Sequence, residues 1–404
     1  MAMLRPASKM KNSGIEWVGQ IPSNWRVVKN NRLFRITKTL VDDAWETTQL
    51  LSLTKGGIIE KDINDGSGKQ PESFSTYQFV QKDDIVLCLF DIDVSAVFSD
   101  RSSFNGMISP AYRVMKCEKN ILPVYAKWWF DAVNVGRYYL IYTKSLRKTI
   151  DSEGFGNILT VIPPLSEQQT IADYLDDRCS KIDKIIAEAT ASIEEYKELK
   201  QAVIFEAVTK GLDKNVPMKD SGVYCLGMIP SEWGTCKTKY LVRVENGSDP
   251  VSDGDVPVYG SGANSFKTCG EYKVGPTVLL GRKGATLHIP HYITGLYWNV
   301  DTAFNTVPVS EKINLKYFYY AAICFDYKAY ISQTTLPGMT QTSYRNMKIA
   351  LPNVEVQNDI VNYLDNKVSE IDSLISEKQA LIDDLQAYKK SLIYEVVTGK
   401  RRVV

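Results

Sequence analysis

Catalysis needs a base, a nucleophile or a set of metal ligands, and this 404-residue chain supplies few of these in working patterns. Its two histidines, His288 and His291, share one strand-like stretch, so a Ser-His-Asp triad or a histidine metal site has little to draw on. Gly66-Ser67-Gly68-Lys69 has the look of a phosphate loop, but Ile63 stands where the first glycine belongs and Gln70 replaces the Ser/Thr. Asp253 with Glu271-Tyr272-Lys273 mimics the acidic pattern of many nucleases, in which carboxylates hold Mg²⁺ and a lysine helps activate water. The same triplet recurs as Glu195-Tyr196-Lys197 in a helical stretch, so it specifies little. There is no glycine-rich pocket for S-adenosylmethionine and no Asn/Asp-Pro-Pro-aromatic tetrad; Ile162-Pro163-Pro164-Leu165 is apolar. These residues describe a reader rather than a catalyst, with no metal and no cofactor expected in this chain. A standalone Mg²⁺-dependent nuclease remains the rival chemistry.

The elements that would position a reader are repeated. SGIEWVGQIPSNW (Ser13–Trp25) returns as SGVYCLGMIPSEW (Ser221–Trp233) at an offset of 208. PPLSEQQTIADYLDDRCSKID from Pro163 is answered by PNVEVQNDIVNYLDNKVSEID from Pro352 at an offset of 189, matching Gln168/Gln357, Tyr174/Tyr363, Leu175/Leu364, Asp176/Asp365 and Asp183/Asp372. Similar ends around dissimilar middles imply a duplicated scaffold whose inserts have diverged. The inserts look mixed α/β. Stretches 49–59, 83–94, 256–262, 276–286 and 288–298 are strand-rich, whereas 125–142 and 316–331 are helical and aromatic, a pattern of core packing.

The segments after each insert have the seven-residue spacing of long paired helices. One carries Leu175, Ile182, Ala189, Tyr196 and Val203 with Cys179, Ile186 and Ile193; the other carries Leu364, Ile371, Leu385 and Leu392 with Val361, Val368, Ile375 and Ile382. Ser166 with Gln169 reads as a capping box, and Gly211 and Gly399 as helix stops. Some 40 residues at about 1.5 Å each give a rod of roughly 60 Å. Lys378 and the matched Lys200/Lys389 interrupt the apolar seam, as residues that fix register do. The economical burial is one helix against the other, antiparallel, holding two domains apart. The expected fold is therefore α+β with an internal duplication. Residues 1–160 and 213–348 form two mixed α/β domains, and 161–212 and 349–404 are two long spacer helices in an antiparallel coiled coil. The helix-pairing residues are Leu175, Ile182, Ile186, Ile193, Tyr196 and Val203 against Leu364, Ile371, Ile375, Ile382, Leu385 and Leu392.

Charge follows the same division, although the net is only +1. Residues 1–150 hold 21 basic and 15 acidic side chains, and 218–345 hold 12 and 10. The segments 151–217 and 346–404 are acidic on balance, with 7 against 13 and 8 against 9. A polyanion is drawn to the insert blocks and repelled by the helices. Acidic helix faces (Glu194, Glu195, Glu198, Asp383, Asp384) are solvated or meet a partner protein. Seven scattered cysteines without a CxxC pair suit a reducing cytoplasm, and no apolar run approaches the roughly 18 residues of a membrane helix. A cytoplasmic protein without a membrane role is expected.

The repeated IPSNW/IPSEW phrases and PPLSEQQTIADYLD with its weaker C-terminal copy resemble the specificity subunit of type I restriction-modification systems. The resemblance covers nearly the whole chain; Val356 and Asn358 depart from Glu167 and Gln169 in the second copy. It implies two target-recognition domains that bind double-stranded DNA, each reading half of a split, asymmetric sequence. It also implies two modification subunits carrying S-adenosylmethionine for adenine-N6 methyl transfer, and a restriction/translocase subunit that joins them. The specificity subunit itself would be non-catalytic, and half-sites about one helical turn (roughly 34 Å) apart are expected. A coiled-coil scaffold without DNA function is the other alternative. For DNA contact, residue chemistry selects Lys69, Gln70, Arg101, Lys144, Arg147 and Lys148, taken to lie in polar loops of the first block. Ser261, Asn264, Lys267, Arg282, Lys283, Gln341 and Arg345 are their counterparts in the second. Trp25 and Trp233 read as packing anchors.

Overall fold

A computed structural model describes residues 3–63, 73–95, 98–143, 146–262, 264–331 and 337–403. Its α-helices are α1 (Pro123–Val135), α2 (Ser152–Asn157), α3 (Leu165–Lys210), α4 (Leu315–Ile323), α5 (Gln341–Asn346) and α6 (Val354–Val397). The chain forms two compact units, 1–189 with 380–404, and 190–379, so α3 and α6 each give a segment to both.

In the first unit, a four-stranded sheet orders Ser99–Arg101, Ile85–Leu87, Arg113–Cys117 and Phe34–Thr37. A second orders Gly57–Lys61, Leu50–Thr54, Gly106–Ile108 and Gln78–Val80. The other unit repeats the plan. One sheet orders Val242–Asn246, Ala303–Pro308, Thr277–Gly281 and His291–Ile293; the other orders Lys267–Cys269, Val256–Tyr259, Leu296–Asn299 and Lys273–Val274. Among the described residues each unit has one parallel pairing, Met107 beside Leu50 and Val258 beside Trp298. The central strands IVL (85–87) and TVLLG (277–281) are buried throughout, which is why they read as apolar runs rather than alternating ones.

A two-stranded antiparallel neck closes each insert in the same register. Arg26–Lys29 pairs with Leu159–Ile162, and Gly234–Lys237 with Lys348–Leu351. The repeated side chains do matching work here. Gln168 accepts the Leu122 amide at 2.7 Å and donates to the carbonyls of Asn120 and Pro163. Gln357 does the same for Asn314 at 2.8 Å and for Lys312 and Pro352. Each therefore satisfies one amide at the start of an aromatic helix, α1 or α4, that the helix itself leaves open. Both helices face inward: Tyr125, Trp128, Trp129 and Phe130 of α1, and Tyr317, Phe318 and Tyr320 of α4, are buried. The Tyr125 hydroxyl reaches the carbonyls of Val161 (2.9 Å) and Val397 (3.3 Å), while Tyr317 reaches Ala350 (2.8 Å) and Val208 (3.1 Å). Trp25 and Trp233 are buried anchors, and the left-handed Gly399 and Gly211 at the helix stops pack on their rings.

The helix seam falls as its spacing predicts. Leu175, Ile182, Ile193, Leu364, Ile371, Ile382 and Leu392 are buried, and Ile186, Tyr196, Val203, Ile375 and Leu385 are half-buried. In the first unit, Leu175, Ile182 and Ile186 share a core with Leu385 and Leu392. In the second, Val203 and Ile204 share one with Val361, Leu364 and Val368. Lys389 on α6 bonds both oxygens of Asp183 on α3, at 2.6 and 2.7 Å, and Lys200 on α3 bonds Asp372 on α6 at 2.8 Å. Residue numbers rise along one helix as they fall along the other, so the pair is antiparallel. The expected capping box is not made. Gln169 turns outward to Asp173 (2.7 Å), and α3 opens directly on Pro164, whose carbonyl takes the Gln168 amide.

Candidate nucleic-acid interface

Each unit carries one cluster of polar loops at the end of its buried central strand. In the first, the loop after Ile85–Leu87 is laced to the segment before α2. The Ile150, Asp91 and Ile92 amides donate to the carbonyls of Leu89 (2.9 Å), Arg147 (2.9 Å) and Lys148 (3.3 Å). The Arg147 guanidinium grips the Asp91 carboxylate through two bonds, 3.2 and 2.7 Å, and holds that carboxyl below its ordinary range. Asp91 and Lys148 both adopt left-handed backbone, φ 47° and 45°, which fixes this corner. Arg137, which sequence reading did not select, buttresses the loop by donating to the carbonyls of Ile92 (2.7 Å) and Ser95 (2.8 Å). Arg147 and Lys148 are therefore brought together. Arg101 is not in a loop: it ends the strand Ser99–Arg101 and pairs with Asp83 at 3.3 Å. Lys69, Gln70 and Lys144 lie outside the described residues.

The second unit builds the same corner from other side chains. The loop after Thr277–Gly281 is tied to the segment before α5 by Met339 donating to Arg282 (2.8 Å) and Gly284 donating to Pro337 (3.1 Å). Gly284 sits at φ 106°, where a side chain would be strained and would crowd the Ser261 hydroxyl. Thr286 bonds the Ser261 carbonyl at 2.9 Å, and Lys283 lies 3.6 Å from the Asp301 carboxylate. Ser261, Arg282 and Lys283 thus converge. Arg282 is half-committed to the interior, its guanidinium donating to the Asp301 carbonyl (3.3 Å) and lying 5.8 Å from the Phe304 ring centre. Asn264 and Lys267 are exposed, Lys267 on the strand Lys267–Cys269 rather than in a loop.

Gln341 and Arg345 stand apart from that corner, on α5. With Lys239, Arg243, Glu245 and Asn246 they line a groove of about 560 Å³ along the edge strand Val242–Asn246. Arg345 is exposed, whereas the Gln341 amide nitrogen donates to the Val244 carbonyl. Burial raises the Glu245 carboxyl, yet bonds from Asn305 and Arg243 outweigh it and leave the group below its usual value. Sequence reading missed Lys239 and Arg243 because no turn residue flags them. The signal was there in VRVEN, where period-two alternation sends Arg243 and Glu245 to one face.

The nuclease-like triplet does not assemble. The Lys273 ammonium donates to the amide oxygens of Asn299 and Asn305, both at 2.8 Å, while a Glu271 oxygen accepts the Val251 amide at 3.0 Å. Among the described residues, no three or more His, Cys, Asp or Glu side chains are placed to hold a metal ion, and no helix is long and apolar enough to cross a membrane.

Residues 230–383 match the family model for the type I restriction modification DNA specificity domain. The chain is 29% identical over 122 residues to the type I restriction enzyme MjaVIII specificity subunit of Methanocaldococcus jannaschii, a match that spans 27% of each protein. Its fold is similar to a solved chain described for complex assembly and conformational transition of the type I R-M system: TM-score 0.72, 12% identity, 94% of this chain and 99% of that one. The HsdS subunit from Thermoanaerobacter tengcongensis is similar at a TM-score of 0.50 and 13% identity, over 94% and 98% of the two chains. At such identities the structural likeness speaks for the fold alone.

Proposed function

We propose that the chain is a specificity subunit of the type I restriction-modification kind, which reads a bipartite, asymmetric DNA sequence and directs adenine-N6 methylation, and restriction, by partner subunits; the family-model match over residues 230–383 and the likeness to the MjaVIII specificity subunit support this reading. The observation that carries this reading is the corner built twice on one backbone plan with different side chains. Asp91, Arg147 and Lys148 occupy it in one unit, and Ser261, Arg282, Lys283 and Asp301 in the other. A conserved frame holding diverged, cationic, hydrogen-bonding side chains is what reading two different half-sites requires. The chain's own role is recognition. Methyl transfer from S-adenosylmethionine belongs to two modification subunits, DNA translocation and cutting to a restriction subunit, and the complex works in the cytoplasm. The insert blocks, basic on balance, suit the DNA, and the acidic helix faces suit the partner proteins.

The test is methylome sequencing of a host expressing this chain with its modification subunit, compared with the same host lacking this chain. The expected result is a split motif carrying N6-methyladenine in both halves, lost without the chain. An assembled complex that leaves the methylome unchanged would refute the reading.

A further inference from the structure

The groove beside the edge strand holds two side chains of opposite sign that share a face, Arg243 and Glu245, and behind them lies a polar relay that reaches the interior. Glu245 stands directly opposite Asn305 across the ladder, and the Asn305 amide nitrogen donates to its second oxygen at 3.1 Å. The other Glu245 oxygen takes the Arg243 Nε at 2.6 Å. Asn305 itself is 1% exposed, and its amide oxygen is held by the Lys273 ammonium at 2.8 Å. Lys273 also bonds Asn299, which is fully buried and donates to the Ala303 carbonyl at 2.9 Å, and it lies 5.2 Å from the centre of the Trp298 ring. A lysine donates only, so it fixes which end of each Asn amide faces it. That forces the Asn305 NH₂ toward Glu245 and leaves the carboxylate oriented, with its remaining lone pairs toward the groove.

We propose that Glu245 and Arg243 are a base-reading pair of the second unit and that Lys273 is their positioning residue, acting through Asn305. The inference rests on the DNA-reading function proposed above and names where one half-site is discriminated. A carboxylate accepts from the N4 amino group of cytosine, and a guanidinium donates to guanine O6 and N7. Two residues apart on one strand face, the pair presents an acceptor and a donor fork that fit a C·G pair or its neighbour in the major groove. Lys239 and Arg345, in the same groove, supply phosphate contacts.

The experiment is selection of randomised duplexes by the full chain with its modification subunits, for wild type, Glu245→Gln, Lys273→Met and Lys273→Arg. Glu245 is half-exposed and a glutamine keeps an oxygen to accept from Asn305, so Glu245→Gln is expected to fold. It is expected to relax a single base position in one half of the motif by about tenfold, leaving the other half unchanged. Lys273→Met is expected to relax the same position, Lys273→Arg to restore it, and neither to alter binding to non-specific duplex. An unchanged base profile in Glu245→Gln overturns the proposal, even where Lys273→Met fails to fold. A wild type without any sequence preference refutes the DNA-reading function instead.

Discussion

At the residue scale, the repeated positions hold the frame and the unrepeated ones are free to read. Tyr125 and Tyr317 each close two buried carbonyls, one of them at the end of a long helix. Tyr125→Phe and Tyr317→Phe each strand those carbonyls and are expected to cost about 1–3 kcal/mol in urea denaturation. No change in midpoint in either variant would show that these hydroxyls are not structural. His291 makes a pH prediction. Its ring is half-buried with Nε2 out of contact with water and unpartnered, and burial holds its pKa below the ordinary 6.5, against a smaller opposing hydrogen bond with the Ser261 backbone. The unfolded chain therefore takes up the proton first as pH falls. Stability contributed by neutral His291 is complete above about 6.5 and erodes below it until the folded pKa is reached. Denaturation midpoints at pH 7.5 and 5.5 should diverge more in wild type than in His291→Phe; identical slopes would refute the assignment.

At the element scale, the long helices were fully legible in the sequence because seven-residue spacing survives whatever packs on it, and the same periodicity located the seam. The capping box was misread for a physical reason. Gln168, not Gln169, faces inward, and it caps a different helix, α1, some 46 residues away in sequence, which no local pattern can show. The aromatic stretches were legible as core, since a helix this rich in rings has no other place to put them. The loop residues were harder. Cationic side chains in polar stretches look alike whether they lie open to solvent, as Arg345 does, or grip a neighbouring carboxylate, as Arg147 and Arg101 do. The seam lysines carry the prediction at this scale. Lys200–Asp372 and Lys389–Asp183 are partly exposed pairs, so each contributes only about 0.2–1 kcal/mol. Their stronger effect is on register, because a lysine in an apolar seam is tolerated only where the opposite helix offers a carboxylate. Lys200→Leu with Lys389→Leu is expected to leave thermal stability equal or higher and to broaden the distance distribution between spin labels on α3 and α6. A distribution as narrow as wild type's would assign register to the apolar residues alone.

At the scale of the whole molecule, the identical register of the two necks makes the inserts exchangeable units. Arg26 lies opposite Ile162 and Lys29 opposite Leu159; Gly234 lies opposite Leu351 and Lys237 opposite Lys348. The repeat offsets of 208 and 189 carry the first set onto the second, so a cut at the necks severs equivalent bonds in each unit. On the scaffold side of the cut, Gln168 and Gln357 receive the insert helix through backbone groups alone, and from inside it Tyr125 and Tyr317 likewise bond backbone carbonyls, so neither set of bonds depends on which insert is present. A few side-chain contacts do differ. Asp176 accepts the Trp128 indole at 2.9 Å, whereas Asp365 accepts Lys316 and Tyr320 at 2.7 and 2.6 Å, but an aspartate stands ready in both places. Replacing residues 234–351 by a copy of 26–162 should therefore fold, with a modest loss of stability. If the inserts alone carry recognition, the methylated motif of this chimera has two halves of the same sequence, both equal to one half of the wild-type motif. A chimera that assembles with its partners yet keeps the original asymmetric motif would place recognition in the shared frame, and would refute the division of labour proposed for scaffold and insert.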